Sequence, residues 1–150
     1  MRTLGLDVGT KTIGVAVSDG LGLTAQAVTT IRRTNLKADL AALAVLAREH
    51  EGSRFVVGLP LNMDGSEGPR AEASRKFAEA VVQALDLPVE FWDERLSTVA
   101  AERTLLEADL SRARRRQVID QVAAQFILQG WLDARRPVAD LHADDFDPEP

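Results

Sequence analysis

The segment MRTLGLDVGTKTIGVAVSD, residues 1–19, sets a carboxylate inside an otherwise apolar, strand-like run. Period-two alternation puts Leu4, Leu6 and Val8 on one face and Thr3, Gly5, Asp7 and Gly9 on the other. The next run repeats the arrangement, with Ile13, Val15 and Val17 opposed to Thr12, Gly14, Ala16 and Ser18. One face reads as ordinary core. The other is almost bare of side-chain bulk around Asp7, so something else can approach the backbone there. A carboxylate in a sheet needs a hydrogen-bond partner, a basic side chain or a metal ion. A nearby lysine or turn amides would satisfy it as well as a metal would.

Further acids stand at positions where they could join Asp7. Asp93 and Glu94 close the strand-like PVEFWDE, residues 88–94, and precede Arg95-Leu96-Ser97-Thr98. Capping of a following helix, or pairing with Arg95, would also account for them. Asp120 shares a helical face with Ala124, Ile127 and Trp131. It is expected near the start of the last helix, where the helix dipole or Arg116 four residues earlier offers a plain explanation. Taken together, these acids suggest sharper chemistry. Mg²⁺ and Mn²⁺ prefer oxygen ligands, and carboxylates from several elements can hold two such ions about 3.5–4 Å apart. One ion then lowers the pKa of a bound water and the other stabilises the leaving oxygen of a phosphodiester. The alternatives are poorly stocked: the chain has no cysteine, and His50 and His142 fall at a helix end and in an acidic tail.

The elements that must position these groups follow from periodicity and turn signals. Residues 3–8 and 12–18 read as strands joined by a short turn, with a third strand within 23–31. Apolar residues at 36, 40, 43, 46 and 47 predict a helix capped by Thr34 or Asn35 and stopped at Gly52. RFVVGLP, residues 54–60, is a strand buried on both faces, and LNMDGSEGP is loop. A helix over about 70–85, the strand 88–94, and helices near 98–109 and 116–135 complete the body. Short early links imply an antiparallel meander, and the later helical crossovers imply parallel strands. The expected class is α/β, a mixed sheet flanked by helices, with ligands gathering beyond the carboxyl ends of its parallel strands.

Bulk properties narrow the setting. One domain is expected from 150 residues, and 45% hydrophobic with 27% charged residues is globular composition. Absent cysteines suit a reducing cytoplasm, and neither a membrane span nor a greasy leader is expected. The net charge of −5 lies entirely in PVADLHADDFDPEP, residues 137–150, an acidic tail expected to be disordered. The preceding 1–136 are formally neutral, with positive charge gathered in SRARRR, residues 111–116, and at Arg32 and Arg33.

Four segments, DVGTKTIGVAVSD, VVGLPLNMDG, WDERLST and IDQVAAQFIL, closely resemble the YqgF or RuvX-like family. That family is described as pre-16S rRNA nucleases and Holliday-junction-resolvase-like proteins, and the match covers about residues 3–133 in the family's order. The resemblance implies an RNase H-like, three-layer fold with a mixed five-stranded sheet. It carries over Asp7, Glu94 and Asp120 as catalytic, metal-holding acids for Mg²⁺ or Mn²⁺, two ions being expected. Thr10 and Lys11 in the first turn could steady a phosphate, and Asn62 lies on a loop bordering the site. Arg95 and the Arg114, Arg115 and Arg116 run could grip backbone phosphates. The implied partner is nucleic acid, with structured RNA favoured over branched DNA.

Other readings stand beside this one. A Holliday-junction resolvase would cut symmetrically and so need a two-fold homodimer. A non-catalytic nucleic-acid-binding assembly factor could keep the same cleft. Asp-x-Gly-Thr also opens the phosphate loop of actin-like ATPases and sugar kinases, but those need a second domain and a second loop that 150 residues cannot hold.

Overall fold

A computed structural model of the chain describes residues 1–96 and 112–135, with the helical path alone for 112–118. The predicted helix at 98–109 and the 137–150 tail lie outside the described residues. Strands β1 (Arg2–Val8), β2 (Thr12–Ser18) and β3 (Ala25–Arg32) are followed by helix α1 (Leu36–Glu49), strand β4 (Gly52–Leu59), helix α2 (Pro69–Leu85) and strand β5 (Val89–Asp93). A single 3₁₀ turn, Glu94–Leu96, ends that run, and helix α3 covers Arg112–Ala134. No helix among the described residues is long and apolar enough to cross a membrane.

The five strands form one sheet in the order β3-β2-β1-β4-β5. The β1–β2 and β2–β3 pairs are antiparallel and the β1–β4 and β4–β5 pairs parallel. This is the RNase H-like three-layer arrangement, with a mixed five-stranded sheet flanked by helices. Alternation sorts the side chains as the sequence requires. Leu4, Leu6, Val8, Ile13, Val15 and Val17 pack with Phe55, Val57, Leu43, Phe77 and Val81 under α1 and α2. Ala16, Ala25 and Val56 pack on the opposite face with Ala124, Ile127, Leu128 and Trp131 of α3. Trp131 is thus core, and Trp92 packs against the same cluster.

Two expectations about boundaries are corrected. Gly52 does not stop α1. The helix ends at Glu49, Glu51 takes the left-handed conformation at φ 53°, and Gly52 already opens β4. Its place there is steric, because a Cβ at 52 would stand 2.3 Å from Leu4 Cδ1. The last helix begins at Arg112 rather than 116, so Arg112, Arg114, Arg115 and Arg116 lie within helix. Asp120 is therefore two turns in, too far from the end for the dipole to explain it. The α1 cap is Asn35, whose side chain accepts from the Ala38 amide at 2.9 Å.

Candidate active site

The sheet splits at its carboxyl end. The β1–β4 ladder stops at Leu6 and Val57, whereas β4 goes on pairing with β5 as far as Leu59 and Asp93. Asp7 lies just past the last β1–β4 pair and is matched across β2 with Gly14. It alternates with Leu6 and Val8, so it belongs to the face that α3 covers.

Room for a ligand and tight helix packing would each explain the small residues of that face, and at positions 5 and 14 the room is filled by α3. A Cβ on Gly5 would lie 2.7 Å from Leu128 Cβ, and one on Gly14 would lie 1.9 Å from the Asp120 carbonyl oxygen. The glycines let the helix backbone rest on the strands, and this contact delivers Asp120 to the strand pair that carries Asp7. The Thr12 hydroxyl then donates to Asp120 Oδ2. Glu94 arrives from the other side, at the first residue of the 3₁₀ turn after β5. Its carboxyl carbon would stand 3.3 Å from a Cβ on Gly58 of β4.

Asp7, Glu94 and Asp120, far apart in the chain, thus sit around one end of one sheet face. Among the described residues no three His, Cys, Asp or Glu groups are gathered closely enough to hold a metal ion. The donor set at this end nonetheless suits a hard divalent cation, since it offers carboxylate oxygens and neither sulfur nor imidazole. A Cβ at Gly58 would also meet Ile127 Cδ1 of α3 at 2.4 Å, so this glycine too admits the helix.

The remaining predicted residues fall around this end in unequal ways. Thr10 and Lys11 are exposed in the β1–β2 turn, which closes through the Gly9 amide to the Thr12 carbonyl at 2.8 Å. Asn62 lies in the loop after β4 and spends itself on local structure, with Nδ2 donating to Ser66 Oγ at 3.0 Å and the Gly65 amide donating to its carbonyl. Arg95 is likewise engaged. Its Nε and Nη2 clasp the Asp93 carboxylate, Nη2 at 2.7 Å, and Nη1 donates to the Met63 carbonyl at 3.2 Å. The arginine holds the Asp93 carboxyl below the usual carboxylate range and is itself raised by it. Asp64 is also lowered, mainly by the Ser66 hydroxyl and then its amide. Arg95 therefore ties the 61–67 loop to the end of β5. The side chains of Arg114, Arg115 and Arg116 lie outside the described residues.

Sequence reasoning passed over three residues at this end. Thr12 carried a signal, since alternation puts it on the side of Gly14 and Asp7. Arg33 donates from Nη1 to the Gly9 carbonyl at 2.8 Å and from Nε to the buried Asp39 at 3.0 Å. Arg70, in the first turn of α2, donates to the Val8 carbonyl at 2.9 Å. No local pattern marks either contact, because each joins a side chain to a backbone oxygen in another element.

Comparison with known proteins agrees with this fold. The family model described as RuvX: Holliday junction resolvase matches residues 1–134. A protein of Myxococcus xanthus named "Putative pre-16S rRNA nuclease" is 78% identical over the full length of both chains. One of the same name from Moorella thermoacetica is 68% identical over 89% of this chain and 95% of its own. Among solved structures, Thermus thermophilus RuvC in complex with a Holliday junction substrate superposes with a TM-score of 0.57 at 14% identity, covering 90% of this chain and 95% of that one. The fowlpox virus Holliday junction resolvase matches with a TM-score of 0.50 at 12% identity over 89% and 99%. At such identities the structural likeness concerns the fold, whereas the family match and the close relatives concern descent: the chain belongs to the RuvX family.

Proposed function

We propose that this protein is a metal-dependent nuclease that hydrolyses phosphodiester bonds in processing the 5′ end of pre-16S rRNA. The observation that carries the reading is the delivery of Asp120, through glycine-permitted packing of α3, to the strand pair that holds Asp7. Nothing in an α/β core requires a helix to lie that close to a charged strand end. The names of relatives at 78% and 68% identity support the choice of substrate.

Asp7, Glu94 and Asp120 would hold the ions, Mg²⁺ or Mn²⁺ and two in number. When bound, such ions activate a water and stabilise a leaving oxygen, which dispenses with a protein nucleophile. The chain's own work is orientation. Thr12 fixes one oxygen of Asp120 by donating to it. Lys11 and Thr10, exposed beside Asp7, reach for a phosphate of the bound strand, and the arginine run of α3 adds sequence-independent attraction. Arg95 and Asn62 hold the loop after β4 and so shape one wall. The nuclease domain spans 1–136, and the acidic 137–150 tail is an appendage to it that takes no part in the chemistry.

The test is incubation with Mn²⁺ or Mg²⁺ and two labelled substrates, a pre-16S leader RNA and a four-way DNA junction, with EDTA and Asp7→Asn as controls. Metal-dependent cut of the RNA alone, lost in both controls, is the expected result. Paired symmetric cuts in the junction would make the protein a dimeric resolvase instead, and binding without cleavage would make it an assembly factor.

A further inference from the structure

Two cations pin the backbone immediately after Asp7 from the side of the sheet opposite α3. Val8 and Gly9 lie beyond the last β1–β4 pair, where the parallel ladder no longer holds β1. Their carbonyls accept instead from guanidinium groups, Val8 from Arg70 Nη2 at 2.9 Å and Gly9 from Arg33 Nη1 at 2.8 Å. Arg33 is itself fixed on three sides. Its Nε donates to Asp39 at 3.0 Å, its guanidinium lies 5.0 Å from the Phe77 ring centroid, and its own amide donates to the Lys11 carbonyl at 2.8 Å. Asp39 is almost wholly buried, at 2% exposure, and also accepts from the Thr34 amide. A carboxylate so buried, its charge met by one arginine, makes a rigid anchor.

These contacts are more elaborate than a hairpin needs. The turn already closes through Gly9 and Thr12, and the β1–β2 ladder runs to Val8 and Ile13. What the guanidinium groups add is restraint on the 8–9 and 9–10 peptide units, one residue beyond Asp7, applied from α2 and from the β3–α1 connection. We infer that Arg33 and Arg70 are positioning residues, a two-armed brace that sets the direction of the Asp7 carboxylate. The inference rests on the nuclease reading for its catalytic consequence but not for its structural one. The two arms differ in chemistry. Arg33 needs both nitrogens of its fork, one for Asp39 and one for Gly9, and an ammonium cannot supply that geometry. Arg70 makes one bond to the turn, which a lysine can replace.

The experiment compares Arg33→Lys, Arg70→Ala, Arg70→Lys and Asp7→Asn by cleavage kinetics, thermal melting and hydrogen–deuterium exchange. Arg33→Lys and Arg70→Ala should lower turnover about tenfold, the scale expected when a reacting group loses its support. They should also raise the Mn²⁺ concentration needed for half-maximal rate, while KM for the nucleic acid stays within about twofold. Arg70→Lys should recover most of the rate. Amides of the 8–12 turn should exchange faster in the two damaged variants, and those of α3 should not. A rise in KM with turnover intact, together with a shallower salt dependence of KM, would overturn the inference and make Arg70 a phosphate contact. Unchanged exchange at 8–12 would overturn it as well. If the wild-type protein cleaves nothing, the nuclease reading falls, and the exchange pattern still decides whether the brace exists.

Discussion

Gly14 shows how far one missing side chain can reach. A methyl group there would meet the backbone oxygen of Asp120 at 1.9 Å, and a backbone cannot swing aside as a flexible side chain can. Gly14→Ala should therefore lift α3 from β2, at a cost of about 1–3 kcal/mol or more, and move Asp120 away from Asp7. Gly20→Ala is the matched control, because nothing lies within 4 Å of its Cβ position. Chemical denaturation and cleavage rates should show loss of both stability and activity at 14 and neither at 20. Equal behaviour at the two positions would contradict the packing account. Asp7 was legible in the sequence because a charge interrupts an apolar alternation. The reason for its bare surroundings was not, since glycines that admit a ligand and glycines that admit a helix look alike in one dimension. Arg33 stood out only as positive charge, and the contacts of Arg33 and Arg70 left no trace, because their acceptors are backbone carbonyls 24 and 62 residues away.

At the scale of elements, strands and amphipathic helices were readable where burial imposes a period, and their ends were less so. The α3 start was misjudged because Arg112 to Arg116 interleave four arginines with one alanine, which permits a helix but gives no apolar stripe to mark it. The connection between β4 and β5 has an acid-labile element that can be tested. Asp93 is held below the ordinary carboxylate value by Arg95, whose other arm holds the Met63 carbonyl. A carboxyl lowered by folding contributes stability that is fully present above the unfolded value of about 3.9 and is lost as pH falls through the folded value. An NMR titration of the Asp93 carboxyl should give a midpoint below about 3.9, returned toward it by Arg95→Ala. The Asp93–Arg95 tie to the 61–67 loop should then be unchanged between about pH 5 and 8. A midpoint at or above the ordinary value would show that Arg95 does not make this tie in solution.

Across the whole molecule, charge and chemistry pull in opposite directions. The 137–150 tail holds five acids and no Lys or Arg, while 1–136 is formally neutral. On the nuclease reading, the tail repels the phosphates that the α3 arginines attract. Removing it should tighten binding of the RNA substrate several-fold at about 50 mM salt, and the difference should close as salt rises. Melting temperature should not move. Equal affinities at low salt would mean that the tail's charge is not felt at the binding surface. The central claim concerns the three acids acting as one unit from three parts of the fold. Its most direct test is single-turnover cleavage of the leader RNA by wild type, Asp7→Asn, Glu94→Gln, Asp120→Asn and the Asp7→Asn/Asp120→Asn double variant. Groups that share a task fail together, so each single change should cost about a thousandfold or more, and the double variant should be little worse than either parent. Near-wild-type cleavage by any one of the single variants, in a protein that melts normally, would contradict it.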